Sequence, residues 1–247
     1  EAYGIKPFIK KCIESVFRYT EVWETNTEQL GYWVDLNRAY VTFHKSYVES
    51  VWWALSELHK KGLLYRGHKV VWWWPQGGTA LSAGEVGQNY KTVDDPSAYV
   101  AFELADEPGT FLAVWTTTPW TLSSNGYAAV KGSYDYVKVE WTESRRLVLA
   151  AGLREALQKK LKLDLEVVET IKGSDLVGRR YHPAFDTYSR DLWDTMAKLR
   201  AGGERALYWR IIDEDFVTLD SGTGIVHQAP AFGEDDNDAH RKQLAAY

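Results

Sequence analysis

The feature that most constrains the fold is a series of short β-prone segments that runs from about residue 99 to residue 227. The segments are rich in Val, Ile, Tyr, Phe and Thr, and glycine, proline or acidic turns separate most of them. Their ranges are 99–104, 111–117, 127–130, 136–141, 146–150, 165–171, 206–212 and 224–227. Many short strands joined by turns are typical of a closed or partly closed barrel, so we predict a barrel-like domain here.

The first part of the chain has a different periodicity. Apolar residues recur at spacings of three and four over 5–24 and again over 46–61, and Gly62 follows the second stretch as a stop signal. Both stretches are therefore predicted to be helices. The apolar run 70–74 has β propensity and stops at Pro75, which predicts a short strand between the helical part and the β-rich part.

Two further helices are predicted inside the β-rich part, over 153–160 and over 192–199. The chain then consists of a helical segment over 1–66, a β connection over 67–92 and a β-rich domain over 93–247. The predicted fold class is α+β, with a helical N-terminal segment followed by a β-barrel-like domain that carries peripheral helices.

Composition excludes several classes of function. With 247 residues, 45% hydrophobic and 26% charged, the chain has a globular balance, and no apolar run approaches the roughly 20 residues that span a bilayer. We therefore expect no membrane partner. The single cysteine, Cys12, fits a reducing, cytoplasmic compartment and excludes a cysteine-based zinc site. The net charge of −5 argues against a general nucleic-acid coat but allows contact with a nucleic-acid end.

Several short motifs fail as cofactor sites. The run 222–227 begins like a dinucleotide-binding loop, but His227 replaces the third glycine and no βαβ pattern surrounds it. The acidic run 234–238 lacks the spacing and the glycine of a calcium loop and is typical of a solvated turn. The histidines are scattered without a helical pair, so we expect no metal site.

Two segments carry polar groups that a plain scaffold does not require. The first, Thr-Thr-Thr-Pro-Trp-Thr-Leu-Ser-Ser-Asn over 116–125, places hydroxyls at a strand end, where they can hold a water, a ribose or an ester carbonyl. The alternative interpretation is the β propensity of threonine followed by a turn. In the second, over 221–236, glycines let the backbone approach a ligand, and His227 comes beside a loop that carries carboxylates. Together they predict a small pocket with one charged anchor.

Both segments resemble the signatures of the isoleucyl-tRNA synthetase family, within its inserted editing domain. The family pattern is Thr-Thr-Thr-Pro-Trp-Thr-Leu, then Gly-Thr-Gly-Ile-Val-His, then Ala-Pro-Ala-Phe-Gly-Glu-Asp-Asp, and this chain carries almost all of it. Thr118 stands where valyl and leucyl relatives typically have arginine. Stretches over 32–36, 47–53 and 62–66 resemble the catalytic-domain sequence that leads into the insertion.

The resemblance implies a proofreading reaction. Isoleucine and valine differ by one methylene, and an apolar pocket separates them only weakly, so a second site hydrolyses the wrong product. We expect the β-rich domain to hydrolyse valine esterified to the isoleucine tRNA, and valyl-adenylate as a second substrate, by direct attack of water. No cofactor is expected for this reaction.

The resemblance also assigns roles by position. Asp236 is expected to bind the α-ammonium of the substrate, and His227 to lie beside the substrate side chain and help exclude isoleucine. Contacts with the adenosine and the hydrolytic water are expected from Thr116, Thr117, Thr118 and Thr121. Asn125 matches a polar residue of the same region and is expected to help bind the substrate. The first three of these threonines join Asp236 and His227 in the expected catalytic set. For Trp120, packing in the pocket floor is favoured over stacking on adenine.

The signatures for adenylate formation, His-Ile-Gly-His and Lys-Met-Ser-Lys-Ser, do not occur, so activation of isoleucine is not expected. The expected partners are the 3′ acceptor end of the isoleucine tRNA, valine as ester or adenylate, and the rest of a synthetase of which this chain resembles an internal fragment. We expect the editing domain to be incomplete at its C-terminal end. The alternative function is a non-catalytic fragment that binds the tRNA acceptor end or valine without hydrolysis.

Overall fold

The computed structural model describes residues 3–200 and 202–245. Its contacts divide the chain into two compact units, Glu1–His68 and Lys69–Tyr247. The first unit is helical, and the second contains the strands together with short helices. The candidate functional residues all belong to the second unit.

The described residues of the first unit form three α-helices: α1 (Ile5–Phe17), α2 (Thr20–Gln29) and α3 (Lys45–Lys60). Helix α3 agrees with the prediction to within one residue at each end. The single helix predicted over 5–24 is wrong, because Tyr19 leaves the helical conformation with φ −117° and ψ 11°. Tyr19 and Thr20 are weak helix formers, so the backbone breaks there although the apolar spacing continues.

In the second unit, twelve strands and five α-helices occur among the residues that the structure describes. The strands are β1 (Trp72–Trp74), β2 (Thr79–Leu81), β3 (Ala98–Glu103), β4 (Thr110–Thr116), β5 (Tyr127–Val130), β6 (Asp135–Thr142), β7 (Arg145–Ala150), β8 (Val167–Lys172), β9 (Met196–Lys198), β10 (Glu204–Ala206), β11 (Arg210–Asp213) and β12 (Val226–Gln228). The helices are α4 (Ala83–Val86), α5 (Arg154–Leu161), α6 (Gly173–Leu176), α7 (Ser189–Leu192) and α8 (Glu234–Ala245).

One sheet organises this unit, in the strand order β11–β5–β12–β4–β7–β6–β8, with β3 paired to β4. Strand β4 is the branch point. It pairs with β3 along its length, with β7 near its beginning, and with β12 where Trp115 lies opposite Val226. Strand β5 lies between β11 and β12. The end of β4 therefore lies beside the beginning of β12.

The sheet curls on itself. Residues 180–181 lie between the end of β3 and β11, because Tyr181 bridges to Leu104 on one side and Arg180 bridges to Arg210 on the other. The order β3, β4, β12, β5 and β11 thus forms a barrel-like ring, and the predicted α+β class is confirmed. Hairpins β1–β2 and β9–β10 form separate two-stranded sheets.

Strand β4 is buried on both faces because two apolar clusters flank it. Val114 belongs to one cluster with side chains of β3, β5 and β11, whereas Ala113 belongs to a second cluster with Leu157 of α5. Successive residues of a strand point to opposite faces, so one strand serves both clusters. This packing fixes the strand end from which the threonine segment departs.

Two predictions in the second unit are wrong. The helix predicted over 192–199 is instead the end of α7 followed by β9, because Met196 pairs with Ala206 across a hairpin whose turn contains Gly202 and Gly203, both with φ near +90°. The strand predicted over 206–212 is split into β10 and β11, because Trp209 between them has φ 50°. In both places tertiary pairing outweighs local propensity.

Candidate active site

An open cavity of about 900 Å³ lies where β4 ends and β12 begins. One wall is the threonine segment, which leaves β4 and turns through a short 3₁₀ helix, Pro119–Ser124. The opposite wall combines residues 221–227 with the loop that leads into α8. Seven of the eight predicted site residues line this cavity: Thr116, Thr117, Thr118, Trp120, Thr121, His227 and Asp236.

The four threonines of the cavity wall differ in whether their hydroxyls are bonded to the protein. Thr118 Oγ1 lies 3.4 Å from Thr116 Oγ1 and 3.3 Å from Thr121 Oγ1. Thr116 Oγ1 accepts the Thr118 backbone N–H at 3.1 Å, and Thr121 Oγ1 donates to the Thr118 carbonyl at 2.8 Å. Both hydroxyls are buried and hold the turn together. Thr117 is exposed, and its hydroxyl has no hydrogen-bond partner among the described residues. Thr117 is therefore the threonine most available to a water or a substrate oxygen.

His227 is held on both ring nitrogens and is only 7% exposed. Asn125 Nδ2 contacts Nδ1 at 2.8 Å, and Thr121 Oγ1 contacts Nε2 at 2.9 Å. Asn125 Nδ2 also contacts the Tyr127 carbonyl, which can only accept, so this atom is the amide donor. His227 Nδ1 therefore accepts, and the proton of the neutral ring is on Nε2, which donates to Thr121.

Burial lowers the pKa of the His227 imidazole to about 4. The ring is neutral at pH 7, and its only lone pair is occupied by Asn125. His227 therefore cannot serve as a general base in this conformation. It forms a rigid, neutral part of the cavity wall.

Asp236 supplies a carboxylate to the cavity from the first turn of α8. Its Oδ2 accepts the Ala229 backbone N–H at 2.8 Å, while Oδ1 has no hydrogen bond among the described residues. Burial raises the pKa of the Asp236 carboxyl, and the neighbouring Asp235 raises it further, against the lowering effect of the Ala229 N–H. The acidic run is thus the start of a helix rather than a solvated turn. A cationic group bound at Oδ1 would relieve this electrostatic cost.

Two glycines allow the cavity wall to come close to its neighbours. Gly222 and Gly224 have φ values of 78° and 72°. A Cβ at Gly222 would lie 2.8 Å from the ring of Trp115, and a Cβ at Gly224 would lie 2.3 Å from the Cβ of Ala150. Positive φ and close contact both select glycine at these positions.

Two predicted residues are placed differently from the rest. Asn125 does not line the cavity; it is 5% exposed and lies behind His227. Trp120 lines the cavity but is 64% exposed, far more than a residue packed in a pocket floor. The structure therefore gives Asn125 an indirect position and leaves the indole of Trp120 open to a ligand.

Sequence reasoning missed two residues that hold Asn125. The Tyr181 hydroxyl donates to Asn125 Oδ1 at 2.7 Å, and Trp209 Nε1 donates to the Asn125 carbonyl at 3.0 Å. Neither belongs to a motif that would single it out, and both lie far along the chain from Asn125. Only the fold brings them together.

Within the described ranges, no group of three or more His, Cys, Asp or Glu side chains is placed to hold a metal ion. No helix in the part of the chain that the structure describes is both long and apolar enough to cross a bilayer.

The sequence matches the family model of class I tRNA synthetases, the group for isoleucine, leucine, methionine and valine, over residues 1–230. The chain belongs to the class I tRNA synthetase family. The two segments that line the cavity, 116–125 and 221–236, resemble those of the isoleucyl members of this family.

Among class I tRNA synthetases, the chain is similar to two curated isoleucine–tRNA ligases from clostridia. It is 45% identical over 242 residues to the protein of Clostridium novyi, covering 98% of this chain and 22% of that protein. It is 46% identical over 237 residues to the protein of Clostridium acetobutylicum, covering 96% of this chain and 21% of that protein. The predicted resemblance to isoleucyl-tRNA synthetases is confirmed. The chain spans about a fifth of the length of these relatives.

A solved class I synthetase domain has a weaker likeness. The cytosolic leucyl-tRNA synthetase editing domain of P. knowlesi aligns with 16% identity and a TM-score of 0.42, over 60% of this chain and 63% of that chain.

Proposed function

We propose that this chain performs the editing reaction of an isoleucine–tRNA ligase. It hydrolyses the ester that joins valine to the isoleucine tRNA and releases valine and free tRNA. The main support for the proposal is that the threonine hydroxyls, His227 and the Asp236 carboxylate line one cavity. The similarity to isoleucine–tRNA ligases over nearly the whole chain supports the choice of tRNA.

Asp236 recognises the free α-ammonium of the aminoacyl ester. Its Oδ1 has no hydrogen bond among the described residues, and no ion pair to this carboxylate occurs among them. A charge-assisted hydrogen bond in a partly dry cavity is stronger than a neutral one. An Asp that is paired with an ammonium is a poor proton acceptor, so its role is to anchor the substrate.

Water is the nucleophile. Its oxygen attacks the ester carbonyl carbon, the bond from that carbon to the ribose oxygen breaks, and the ribose oxygen takes up one proton of the attacking water. Valine leaves as its carboxylate, and the second proton of the water goes to solvent. Since His227 is neutral with its lone pair occupied, and Asp236 is paired with the ammonium, the exposed Thr117 hydroxyl and the ribose position the water. No cofactor takes part.

His227 limits the space for the substrate side chain. Both of its ring nitrogens are bonded to the protein, so the ring cannot turn away to admit a larger group. Valine fits beside it, whereas the additional methylene of isoleucine meets the ring. The open face of Trp120 offers a stacking surface for the terminal adenine.

The proposed partners are the 3′ acceptor end of the isoleucine tRNA, valine as ester or adenylate, and the remainder of an isoleucine–tRNA ligase in the cytoplasm. The cavity is proposed to catalyse the hydrolysis of the ester.

The test is deacylation of valyl-tRNA(Ile) by the chain, run beside isoleucyl-tRNA(Ile). Hydrolysis of the valyl ester alone supports the proposal. A folded chain that binds the acceptor end but hydrolyses neither ester would refute it and would favour the non-catalytic binding function.

A further inference from the structure

We propose that Tyr181 is a positioning residue that fixes the orientation and the tautomer of His227 through Asn125. This proposal extends the proposed editing function, on which its kinetic test rests, to a residue outside the cavity. The Tyr181 side chain is fully buried and does not line the cavity.

The connection from Tyr181 to the cavity is a chain of directed hydrogen bonds. Asn125 Oδ1 can only accept, so the Tyr181 hydroxyl at 2.7 Å donates to it. The Asn125 amide then donates to His227 Nδ1 at 2.8 Å, and His227 Nε2 donates to Thr121 Oγ1 at 2.9 Å. The Thr121 hydroxyl in turn donates a hydrogen bond to the Thr118 carbonyl at 2.8 Å.

The direction of this chain is fixed at its buried end. The Asn125 amide nitrogen also donates to the Tyr127 carbonyl, so both of its protons are used. Burial raises the pKa of the Tyr181 phenol well above its ordinary value, so the hydroxyl keeps its proton. Trp209 Nε1 holds the Asn125 backbone from another side. With every group satisfied, the His227 ring has one tautomer and one orientation.

Removal of the Tyr181 hydroxyl alone would disturb this arrangement without emptying the core. The Tyr181 ring stacks on Phe102 with centroids 5.0 Å apart, and phenylalanine can keep that contact. Asn125 Oδ1 would lose its donor while buried, which is unfavourable. The amide would then rotate to find another donor, and His227 would populate both neutral tautomers.

Tyr136→Phe is the matched control. Tyr136 is also fully buried, and its hydroxyl donates to the Gly224 carbonyl and accepts the Lys131 N–H. Among the described residues, neither partner is hydrogen-bonded to Asn125 or His227; Gly224 lines the cavity, so this control is read by the NMR signal of His227. The control therefore removes an equally buried hydroxyl from outside the chain of hydrogen bonds.

The experiment is side-chain nitrogen NMR of His227 in the full chain, together with deacylation kinetics. Wild type and Tyr136→Phe are expected to show one neutral tautomer with the proton on Nε2, and Tyr181→Phe a mixture. In deacylation, Tyr181→Phe is expected to narrow the preference for valyl-tRNA(Ile) over isoleucyl-tRNA(Ile) by about tenfold, because a His227 ring that is no longer fixed admits the larger side chain; the size is that of one lost buried hydrogen bond.

A single, unchanged Nε2–H tautomer in Tyr181→Phe would overturn the proposal, as would a wild-type ring with its proton on Nδ1. A mixture of tautomers in Tyr136→Phe would overturn it as well, since the loss of any buried hydroxyl would then disturb the ring. If the wild type hydrolyses no ester, the editing function fails, but the NMR result still decides the role of Tyr181.

Discussion

Acidification should destabilise the second unit through His227. The imidazole titrates near 6.5 in the unfolded chain, whereas burial lowers its pKa to about 4 in the folded protein. Below pH 6.5 the unfolded state therefore binds a proton that the folded state excludes. Stability is fully present above pH 6.5 and is lost as the pH falls toward 4. At roughly 1.4 kcal/mol per pKa unit, the loss attributable to His227 is about 3 kcal/mol.

The assay is urea unfolding between pH 7.5 and pH 4.5, followed by near-ultraviolet circular dichroism, which reports packed aromatic side chains. Wild type is compared with His227→Gln, in which glutamine supplies hydrogen-bonding groups but does not titrate. Other groups, among them Asp236 and His240, contribute equally to both proteins and cancel in the difference. We expect wild type to lose ~2 to 3 kcal/mol more than His227→Gln over this range. Parallel loss in the two proteins would show that His227 is not held neutral.

Three further predictions concern single side chains. Lys138→Met should lower the free energy of unfolding by ~1 kcal/mol, because the buried Lys138 bonds Glu107 and Glu169, while both carboxylates keep access to solvent and Glu107 keeps Arg179. Urea unfolding measures this, and a neutral effect would refute it. Gly222→Ala should cost ~1 to 2 kcal/mol, since a positive φ is combined with a contact to Trp115; an unchanged unfolding midpoint would contradict this. Thr117→Val should lower kcat for valyl-ester hydrolysis without shifting Tm, because the exposed Thr117 hydroxyl is proposed to position the water. Thr116→Val should lower the free energy of unfolding by ~1 kcal/mol, because the Thr116 hydroxyl accepts the Thr118 N–H. The reverse pattern would show that the two roles are exchanged.

The strands that the sequence predicts well are those in which local propensity and burial agree. Residues 127–130 are apolar or aromatic throughout, and β5 has these bounds and is buried at every position. The helix predicted over 192–199 fails because a three-residue hairpin strand is decided by its partner β10 and by a glycine turn. Spacing within one segment contains no information about that partner.

In the candidate site, too, the sequence predicts some features and not others. The motifs and the family resemblance indicate Thr117, His227 and Asp236, and all three line the cavity. The state of His227 could not be predicted, because it depends on Asn125, which is 102 residues away, and on burial. Tyr181 is 56 residues from Asn125, and nothing local marks it. Contacts of this kind are defined by the ring of strands and not by any motif.

The most direct test of the central claim is whether Asp236 recognises the α-ammonium. Hydrolysis of valyl-tRNA(Ile) is compared with hydrolysis of N-acetylvalyl-tRNA(Ile), which lacks the ammonium, by wild type, by Asp236→Ala and by the exposed neighbour control Asp235→Asn. Wild type and Asp235→Asn are expected to prefer the free valyl ester by about a hundredfold, as for a charge-assisted pair in a partly dry site. Asp236→Ala is expected to lose the preference by slowing on the valyl ester alone. A preference that persists in Asp236→Ala would contradict the account.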